Sequence, residues 1–570
     1  MSSRPNCTSI RLRRSADKIE RLMVSKASTS RAEQKALLKL SPFELKDKLI
    51  RLAQIGTRRN TAQFLNAGRG NPNWVCTTPR EAFATLLRFA IEESKRVLNA
   101  PDLGGMPEKA GIAKRLAAFL DQNKNAGGAK LLLEAVNYGV NHVKFDADAF
   151  VHELTDGITG DMYPVPDRML VCAERIVNEY LAQEMCAGRP PKGKYDLFAV
   201  EGGTAAMCYI FDSLMLNHLL HRGDRIALAV PTFTPYIEIP HFDRYDFKVV
   251  NIDASLETRK DGGHSWQYSD TEIEKLADRR IKAFFLVNPS NPPSYAMRAK
   301  SMERLVRLIK KKRPDLIIIT DDVYGTFVPG FRSLMAELPR NTIGVYSFSK
   351  HFGCTGWRLG VIAIHGDNIY DRMLAKLPSK TRTALNRRYS SITLEPSKLK
   401  FIDRMVADSR QVALNHTAGL SLPQQVQMTL FSLFALLDTT NSYKTLCQLI
   451  VRRRYKALWD GLGLPEPPAD DRAAYYAQLD IMVWAEKFYG KDFVKFLRKN
   501  YECTDILFRL AEQSGVVLLH GGGFGGPEWS VRVSLANLPE ETYGKIGQYL
   551  RTAAEEYVVE WRLAEKKKHV

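Results

Sequence analysis

The stretch SFSKHFGCTGWRLG, residues 347–360, follows a short apolar run and places Lys350 just after a serine, with Arg358 eight positions later. A lysine at the end of a buried strand, near apolar residues and other cations, is readily held as a neutral amine that attacks a carbonyl. Ser347, Ser349 and Arg358 are donors suited to a phosphate group. The stretch therefore predicts a reactive lysine beside an anion site.

The sequence around this stretch alternates short apolar, β-rich runs with helical or polar segments from about residue 195 onward. The runs are YDLFAV (195–200), RIALAV (225–230), FKVVNI (247–252), IKAFFLV (281–287), LIIIT (316–320), TIGVYS (342–347) and LGVIAI (359–364). This alternation indicates an α/β fold with a seven-stranded, mainly parallel sheet that carries helices on both faces. Ligands bind at the carboxyl ends of such strands. The residues that follow each run are therefore the candidates for a site.

Several of these strand ends carry side chains that a flat, anionic ligand would use. A glycine-led helix start can bind an anion, and an aromatic ring can cover a planar ligand. An asparagine in a proline-rich turn can donate from a fixed position, and a buried carboxylate needs a cation or a donor. Each feature alone also fits an ordinary turn or core residue, but pyridoxal 5′-phosphate would use all of them together with a lysine. The helix start is at Gly203 and Thr204, the aromatic ring is Phe233, and the asparagine is Asn291. The carboxylate is Asp321, with Tyr324 three residues later.

The composition is that of an ordinary globular protein, with 45% hydrophobic and 25% charged residues. The formal net charge is +19, but Lys and Arg are spread along the chain and no nucleic-acid-binding motif is present. A basic surface with cationic pockets for anionic ligands is therefore favoured over a nucleic-acid partner. No apolar run reaches the ~18 residues of a membrane span. The eight cysteines lack CxxC or zinc-ligand spacing, which indicates reduced thiols in a cytoplasmic protein without a metal site.

The chain divides into four segments on composition and periodicity. Residues 1–39 are basic and polar and are predicted to be a disordered extension, with a transit peptide as the alternative. Residues 40–155 form an N-terminal segment that contributes to the small domain and to the active site. Residues 156–430 form the large cofactor-binding domain, and residues 431–570 a smaller C-terminal α+β domain.

The first predicted helix begins at LSPFELKDKLIRLA, residues 40–53. Ser41 is a good N-cap, Pro42 occupies the first helical position and Glu44 completes a capping box. Lys46 falls in the middle of the apolar face of this helix. Such a lysine either extends to water or points into a site, and the spacing leaves both readings open.

The pattern SxSKxxxxxGWRxG resembles the lysine motif of the fold-type I aminotransferases, and the similarity runs from about residue 160 to 545. The resemblance implies that Lys350 forms a Schiff base with pyridoxal 5′-phosphate and that Asp321 pairs with the pyridine nitrogen. It also implies that Asn291 and Tyr324 bond the 3′-oxygen. Phe233 stacks on the ring, where many relatives carry a tryptophan.

The same resemblance implies a phosphate site and a substrate site. The phosphate ligands are Gly203, Thr204, Ser347, Ser349 and Arg358. Tyr163 contacts the phosphate bound by the partner subunit, as a tyrosine does in related dimers. The stretch WSVRVSLANLP, residues 529–539, resembles the one that carries the arginine for the substrate carboxylate, here Arg532.

The N-terminal half resembles a narrower family. LSPFELKDKLI (40–50), LNAGRGNPNW (65–74), TTPREAF (77–83) and GGMPEKAGIAKR (104–115) are similar to the aspartate 4-decarboxylases, bifunctional aspartate β-decarboxylases and aminotransferases. The resemblance implies β-decarboxylation of L-aspartate to L-alanine and CO₂ through a ketimine, with transamination as a side activity. It also implies a homodimer at least, and a higher assembly of dimers.

The β-carboxylate of aspartate requires a cation that does not hold it too tightly. A close ion pair would stabilise its charge more in the ground state than in the transition state and so slow the loss of CO₂. Arg69, in the glycine-rich turn AGRGNPNW, and Lys46 are the candidates, although Arg69 also fits a role in supporting the turn. Two other readings stay open: a plain aspartate or aromatic aminotransferase, and a regulatory binding protein built on an aminotransferase domain. The regulatory protein would need a DNA-binding module, for which residues 1–39 are too short.

Overall fold

The computed structural model describes residues 29–60, 63–258, 264–410 and 419–568. The chain forms two compact units. The small unit combines the chain up to Gly70 with Ile450–Pro467 and Tyr476–Val570, and the large unit contains Asn71–Leu449 and Pro468–Tyr475. The first 28 residues of the predicted basic extension lie outside the described residues.

A mixed eight-stranded sheet forms the centre of the large unit. Strand β1 (Leu65–Asn66) belongs to the small unit. The central sheet consists of β2 (Tyr195–Val200), β3 (Arg225–Val230), β4 (Lys248–Thr258), β5 (His264–Tyr268), β6 (Ile281–Val287), β7 (Ile317–Asp321), β8 (Thr342–Ser347) and β9 (Gly360–His365). Their spatial order is β2-β9-β8-β7-β6-β3-β4-β5. Strands β8, β7, β6, β3 and β4 are parallel neighbours, whereas β9 is antiparallel to β2 and β8, and β5 is antiparallel to β4.

The seven predicted strands and the fold class are confirmed. Both faces of the sheet are buried: in β7, Ile317 and Ile319 belong to one apolar cluster and Ile318 to the other. The strand count of seven was wrong, because β5 adds an eighth at one edge. Its residues HSWQY mix polar and apolar side chains, and the strand forms by pairing with the end of β4 rather than by forming an apolar run of its own.

Helices surround this sheet and form the N-terminal part of the large unit. Helix Leu422–Leu437 is a central element, which packs against Thr78–Val97, Ala147–Thr159 and Val171–Met185. The remaining helices are Ile112–Gln122, Ala129–Asn141, Gly203–Leu216, Thr234–Glu238, Asp270–Glu274, Ala299–Lys312, Leu334–Glu337, Ile369–Ala375, Ser379–Tyr389 and Phe401–Ser409. The chain passes from the large unit to the small unit within helix Ser442–Leu462, between Leu449 and Ile450.

The small unit has the α+β character expected of a smaller domain. Its antiparallel sheet has the order β10 (Tyr476–Asp480), β13 (Ser530–Ser534) and β12 (Leu519–His520), and β1 pairs in parallel with β11 (Val516–Val517). Its other helices are Arg31–Leu37, Pro42–Asn60, Ile481–Tyr489, Lys491–Asn500, Asp505–Ser514 and Glu540–Lys568.

Part of the extension predicted to be disordered is helical, which corrects that prediction for Arg31–Leu37. Ser30 caps this helix by accepting from the Glu33 amide. The buried Gln34 side chain donates to Asp505 at 3.0 Å. The polar composition concealed this helix, because it is held by hydrogen bonds to residues far along the chain rather than by an apolar face.

The next helix begins where the capping residues predict. The Glu44 amide donates to Ser41 Oγ at 3.4 Å, and the helix runs over Pro42–Asn60. In the part of the chain that the structure describes, no helix combines the length and apolar character needed to cross a membrane.

Candidate active site

The carboxylate of Asp321 ends strand β7 and is almost completely buried. Tyr236 donates its hydroxyl to Asp321 Oδ2 at 2.6 Å, and the Val323 amide donates to Oδ1 at 3.1 Å. Burial raises the pKa of Asp321, while these two hydrogen bonds and the nearby Lys350 ammonium lower it. The site therefore holds a carboxylate whose ionised form depends on donors and cations placed around it.

Asn291 and Tyr324 meet at the neighbouring strand end. Asn291 follows β6, and its Nδ2 lies 3.5 Å from the hydroxyl of Tyr324, with both side chains buried. Phe233 follows β3, and its ring centroid lies 5.4 Å from that of Tyr236 in an edge-on arrangement. The donors predicted for a 3′-oxygen are thus adjacent, and the predicted stacking ring borders the tyrosine that contacts Asp321.

The start of helix Gly203–Leu216 lies beside these groups. A Cβ built at Gly203 would lie 3.7 Å from the Tyr236 hydroxyl and 3.8 Å from Asp321 Oδ2. Gly202, with φ of 89°, has no room for a side chain, because a Cβ there would lie 2.5 Å from Arg358 Nη2. The helix start and the Arg358 guanidinium therefore approach each other, and Thr204 is exposed at the same turn.

The serines of the lysine motif form one hydrogen-bonded group after β8. Ser347 Oγ donates to Ser349 Oγ at 2.9 Å, and both side chains are buried. Lys350 follows and is half-buried. Arg358 has a left-handed backbone (φ 54°) and donates from Nη1 to the Thr355 carbonyl at 2.8 Å. A lysine, hydroxyl donors and a guanidinium thus lie within one short stretch.

These residues fit pyridoxal 5′-phosphate on three observations. A protonated ring nitrogen against Asp321 would offset the cost of burying that carboxylate. The helix start at Gly203, next to Arg358, offers backbone N–H groups and a guanidinium to a phosphate. Gly203 at the helix start leaves space that a Cβ would fill, which allows a ligand to approach the backbone.

In the small unit, Arg532 lies on β13, the central strand of the three-stranded sheet. Its side chain is 1% exposed, and Nη2 donates to the Gly68 carbonyl at 2.9 Å. The guanidinium carbon lies 4.4 Å from the ring centroid of Tyr476 and 4.7 Å from that of Phe524. Two aromatic rings and a carbonyl therefore hold the guanidinium of Arg532 in a fixed orientation.

The two cations proposed for the β-carboxylate lie near Arg532. The ring of Phe43 lies close to both Lys46 and Arg532. Its centroid is 5.7 Å from Lys46 Nζ and 6.0 Å from the guanidinium carbon of Arg532. Arg69 is exposed and directly follows Gly68, the residue that Arg532 contacts. Lys46 and Arg532 thus both border the ring of Phe43, while Arg69 adjoins in sequence the residue that accepts from Arg532, and their role as substrate-binding cations stays a prediction.

Tyr163 is 67% exposed and lies between helices Ala147–Thr159 and Val171–Met185. Its predicted role involves a partner subunit. An exposed side chain is compatible with such a contact, which stays a prediction.

The sequence reasoning missed Tyr236, the residue that contacts Asp321 most closely. The available signal was its place in PTFTPY, residues 231–236, directly after β3. A tyrosine hydroxyl close to a strand end, in a site already thought to contain a buried carboxylate, is a natural hydrogen-bond donor.

The sequence is similar to those of known proteins over most of its length. The family model described as aminotransferase class I and II matches residues 199–550. A protein from a Pseudomonas species named bifunctional aspartate aminotransferase and L-aspartate beta-decarboxylase is 48% identical over 532 residues, which cover 93% of this chain and 98% of that protein. An aspartate aminotransferase of Sulfolobus acidocaldarius is 30% identical over 167 residues, 28% of this chain and 40% of that protein.

Solved structures show the same fold. The aspartate aminotransferase of Rhizobium meliloti superimposes with a TM-score of 0.55 at 16% identity, covering 91% of this chain and 96% of that structure. The family match over most of the sheet and the near full-length relative lead to one conclusion: this chain belongs to the class I and II aminotransferase family.

Proposed function

We propose that this chain converts L-aspartate to L-alanine and CO₂, with aspartate transamination as a side activity. The observation that carries the proposal is the 48% identity to a bifunctional enzyme over 93% of the chain. That similarity includes most of the N-terminal segment, whereas the Sulfolobus aspartate aminotransferase matches only 28% of the chain. The extra sequence that distinguishes this chain from a plain aminotransferase is therefore shared with a decarboxylase.

The cofactor is pyridoxal 5′-phosphate, on which class I and II aminotransferases depend. When bound, it withdraws electrons from the substrate, so that the Cα–H bond and then the bond to the β-carboxylate can break. Asp321 would hold the ring nitrogen, Asn291 and Tyr324 the 3′-oxygen, and Phe233 a face of the ring. The phosphate ligands proposed are Gly203, Thr204, Ser347, Ser349 and Arg358.

Lys350 acts as the proton carrier in this proposal. Its Nζ takes the proton from Cα as a general base and returns a proton later in the reaction. The ionised form of Asp321 would keep positive charge on the ring nitrogen, and the hydroxyl of Tyr236 stabilises that ionised form. The hydrogen bond between Tyr236 and Asp321 therefore supports the proton transfer made by Lys350.

Arg532 would bind the α-carboxylate of aspartate and orient Cα–H for removal. Its planar fork suits a carboxylate, and the rings of Tyr476 and Phe524 limit its movement. The β-carboxylate would meet a looser cation, for which we propose Arg69 or Lys46, because a tight ion pair would oppose the loss of CO₂.

Two further proposals concern assembly and location. A homodimer at least, and a higher assembly of dimers, is proposed from the family resemblance, with Tyr163 at the partner subunit's phosphate. A cytoplasmic location is proposed because the seven described cysteines, at 76, 172, 186, 208, 354, 447 and 503, are free thiols.

The proposal is tested with purified protein, pyridoxal 5′-phosphate and L-aspartate, without added keto acid. We expect sustained release of alanine and CO₂ in equal amounts, and no turnover by Lys350→Ala. If alanine is not formed, while oxaloacetate appears once 2-oxoglutarate is added, the enzyme is a plain aspartate aminotransferase. If neither product forms, the proposed activity is wrong.

A further inference from the structure

The backbone directly after Lys350 is held by two side chains from distant parts of the large unit. Trp74 Nε1 donates to the carbonyl oxygen of His351 at 3.0 Å, and the Tyr443 hydroxyl donates to the same oxygen at 2.9 Å. A carbonyl oxygen has two lone pairs, so these two donors can occupy both. The peptide group between His351 and Phe352, one residue beyond Lys350, is therefore fixed from two directions.

Other residues of the segment 74–80 contact the loop that follows Lys350, at Phe352 and Gly353. The guanidinium of Arg80 donates to the carbonyl of Gly353 at 2.9 Å, and the Cys76 amide donates to Phe352 at 3.3 Å. Gly353 has φ of 61°, and a Cβ there would lie 2.0 Å from the Trp74 carbonyl oxygen. Only a glycine allows the loop to lie this close to segment 74–80.

Trp74 also connects this loop to a second predicted cofactor contact. Its ring centroid lies 6.1 Å from that of Tyr475, and the Tyr475 ring lies 5.0 Å from that of Tyr324. Tyr324 is the residue proposed to bond the 3′-oxygen. The indole of Trp74 is thus linked by a hydrogen bond to the lysine loop and, through the ring of Tyr475, to Tyr324.

We propose that Trp74 and Tyr443 are positioning residues, which hold the backbone of His351 so that the amine of Lys350 returns to one place for proton transfer. The inference rests on the proposed function and assigns a role to the N-terminal segment beyond substrate binding. A shift of the lysine by a fraction of an ångström lengthens the path of the transferred proton and lowers the rate of the chemical step. Substrate binding depends on other groups and should change little.

The test uses Trp74→Phe, Tyr443→Phe and the double variant as holoenzymes. Each single variant keeps a ring and removes one donor, so the remaining donor still holds the carbonyl, and we expect kcat for alanine formation to fall only about threefold. KM for aspartate should change less than about twofold, since neither Trp74 nor Tyr443 is among the proposed substrate ligands. Because either donor alone still holds the carbonyl, the double variant should lose more activity than the product of the two single losses.

A spectroscopic measurement separates positioning from a general loss of stability. The absorbance of the lysine-bound cofactor is titrated with pH, and we expect the midpoint to move by about half a pH unit in the double variant. Tyr370→Phe is the matched control, because Tyr370 is a buried tyrosine that donates to the carbonyl of Asn341. It should leave the midpoint and kcat unchanged.

The outcomes are distinguishable from failure of the proposed function. If the wild type forms the cofactor band and produces alanine, but the double variant shows only the product of the single losses and an unmoved midpoint, the positioning role is wrong. A lower unfolding temperature without these changes would also contradict it. If the wild type itself shows no cofactor band or no alanine, the proposed function fails instead.

Discussion

At the scale of single residues, the site depends on how Asp321 is kept ionised at a buried strand end. Burial raises the pKa of its carboxyl, and Tyr236 opposes that shift through a 2.6 Å hydrogen bond. A hydrogen bond to a charged group is stronger than one between neutral partners. Removing the hydroxyl would therefore weaken the contact between Asp321 and a protonated ring nitrogen.

Tyr236→Phe tests this dependence. We expect kcat to fall by about ten- to a hundredfold, as for the loss of a hydrogen bond to a charge, with a smaller change in KM. The dissociation constant for pyridoxal 5′-phosphate, measured by equilibrium dialysis, should rise as well. The matched control is Tyr195→Phe, because Tyr195 donates to the Met335 carbonyl at the same 2.6 Å distance. Equal effects of the two substitutions would contradict a specific role for Tyr236.

The raised pKa of the neighbouring carboxyl, Asp322, implies that the stability of the protein depends on pH. Burial, with the charge of Asp321, raises its pKa from 3.8 to about 7, although hydrogen bonds from Ser333 and Thr320 act in the opposite direction. Between these two pKa values the folded protein keeps a proton that the unfolded chain loses, so the free energy of unfolding falls as pH rises.

Asp322→Asn stays neutral at every pH and removes this dependence. We therefore expect the difference in unfolding temperature, variant minus wild type, to be larger at pH 8 than at pH 5 by calorimetry. Asp121→Asn, at an exposed position, serves as the control and should show the same difference at both pH values. A difference for Asp322→Asn that does not vary with pH would mean that the carboxyl is ionised throughout.

Arg69 offers a test of the handling of the β-carboxylate. It is exposed beside Gly68, where Arg532 is held, so its removal should leave the fold intact. Arg69→Ala is expected to lower the ratio of alanine to oxaloacetate about tenfold, because the β-carboxylate loses its orienting cation. Both products are quantified from one reaction, with Arg562→Ala, exposed on the C-terminal helix, as the control. An unchanged ratio would exclude Arg69 from the mechanism.

At the scale of elements, the strand ends could be predicted because each follows an apolar run, and the parallel order of the strands brings them to one edge. The pairing of Tyr236 with Asp321 could not be predicted, since it joins residues 85 positions apart. Tyr236 lies in the short helix Thr234–Glu238 after β3, Asp321 ends β7, and β6 lies between these two strands. Helix Arg31–Leu37 was missed for a similar reason: Gln34 finds its partner Asp505 far along the chain. Local patterns indicate elements, whereas polar contacts between distant elements depend on the register of the whole sheet and on the packing of the helices.

The glycine-rich turn Gly521–Gly526 is an element whose shape affects Arg532. A Cβ at Gly523 would lie 2.2 Å from Pro42 Cγ, so an alanine there must displace the turn. Phe524, which lies against the guanidinium of Arg532, would move with it. Gly523→Ala is expected to raise KM for aspartate about tenfold, with a smaller effect on kcat, because the α-carboxylate loses a well-oriented partner.

Steady-state kinetics of Gly523→Ala are compared with those of Gly104→Ala. A Cβ at Gly104 would have no neighbouring atom within 4 Å, so alanine fits there without displacement. If Gly523→Ala changes kcat and leaves KM unaltered, the turn does not act through Arg532.

At the scale of the whole molecule, a polar network centred on one buried guanidinium joins distant segments of the small unit. In the small unit, Arg509 is 1% exposed and forms ion pairs with Asp505, Glu556 and Glu560. These contacts join helix Asp505–Ser514 to the C-terminal helix. Asp505 also accepts from Gln34 of helix Arg31–Leu37, so this helix joins the same network.

Arg509→Met is therefore expected to destabilise the protein through the small unit rather than through the chemistry. Removing the cation leaves the buried carboxyl of Asp505 and the half-buried carboxyls of Glu556 and Glu560 without their cation, a change that costs up to about 3–5 kcal/mol. The unfolding temperature should fall clearly below that of the wild type, while kcat measured well below the transition stays within about twofold, because Arg509 has no proposed role in the site. Arg562→Met, exposed on the same C-terminal helix, removes a cation without leaving a buried carboxylate and should not change the unfolding temperature. Equal stability of the two variants would show that the buried network around Arg509 does not hold the ends of the chain together.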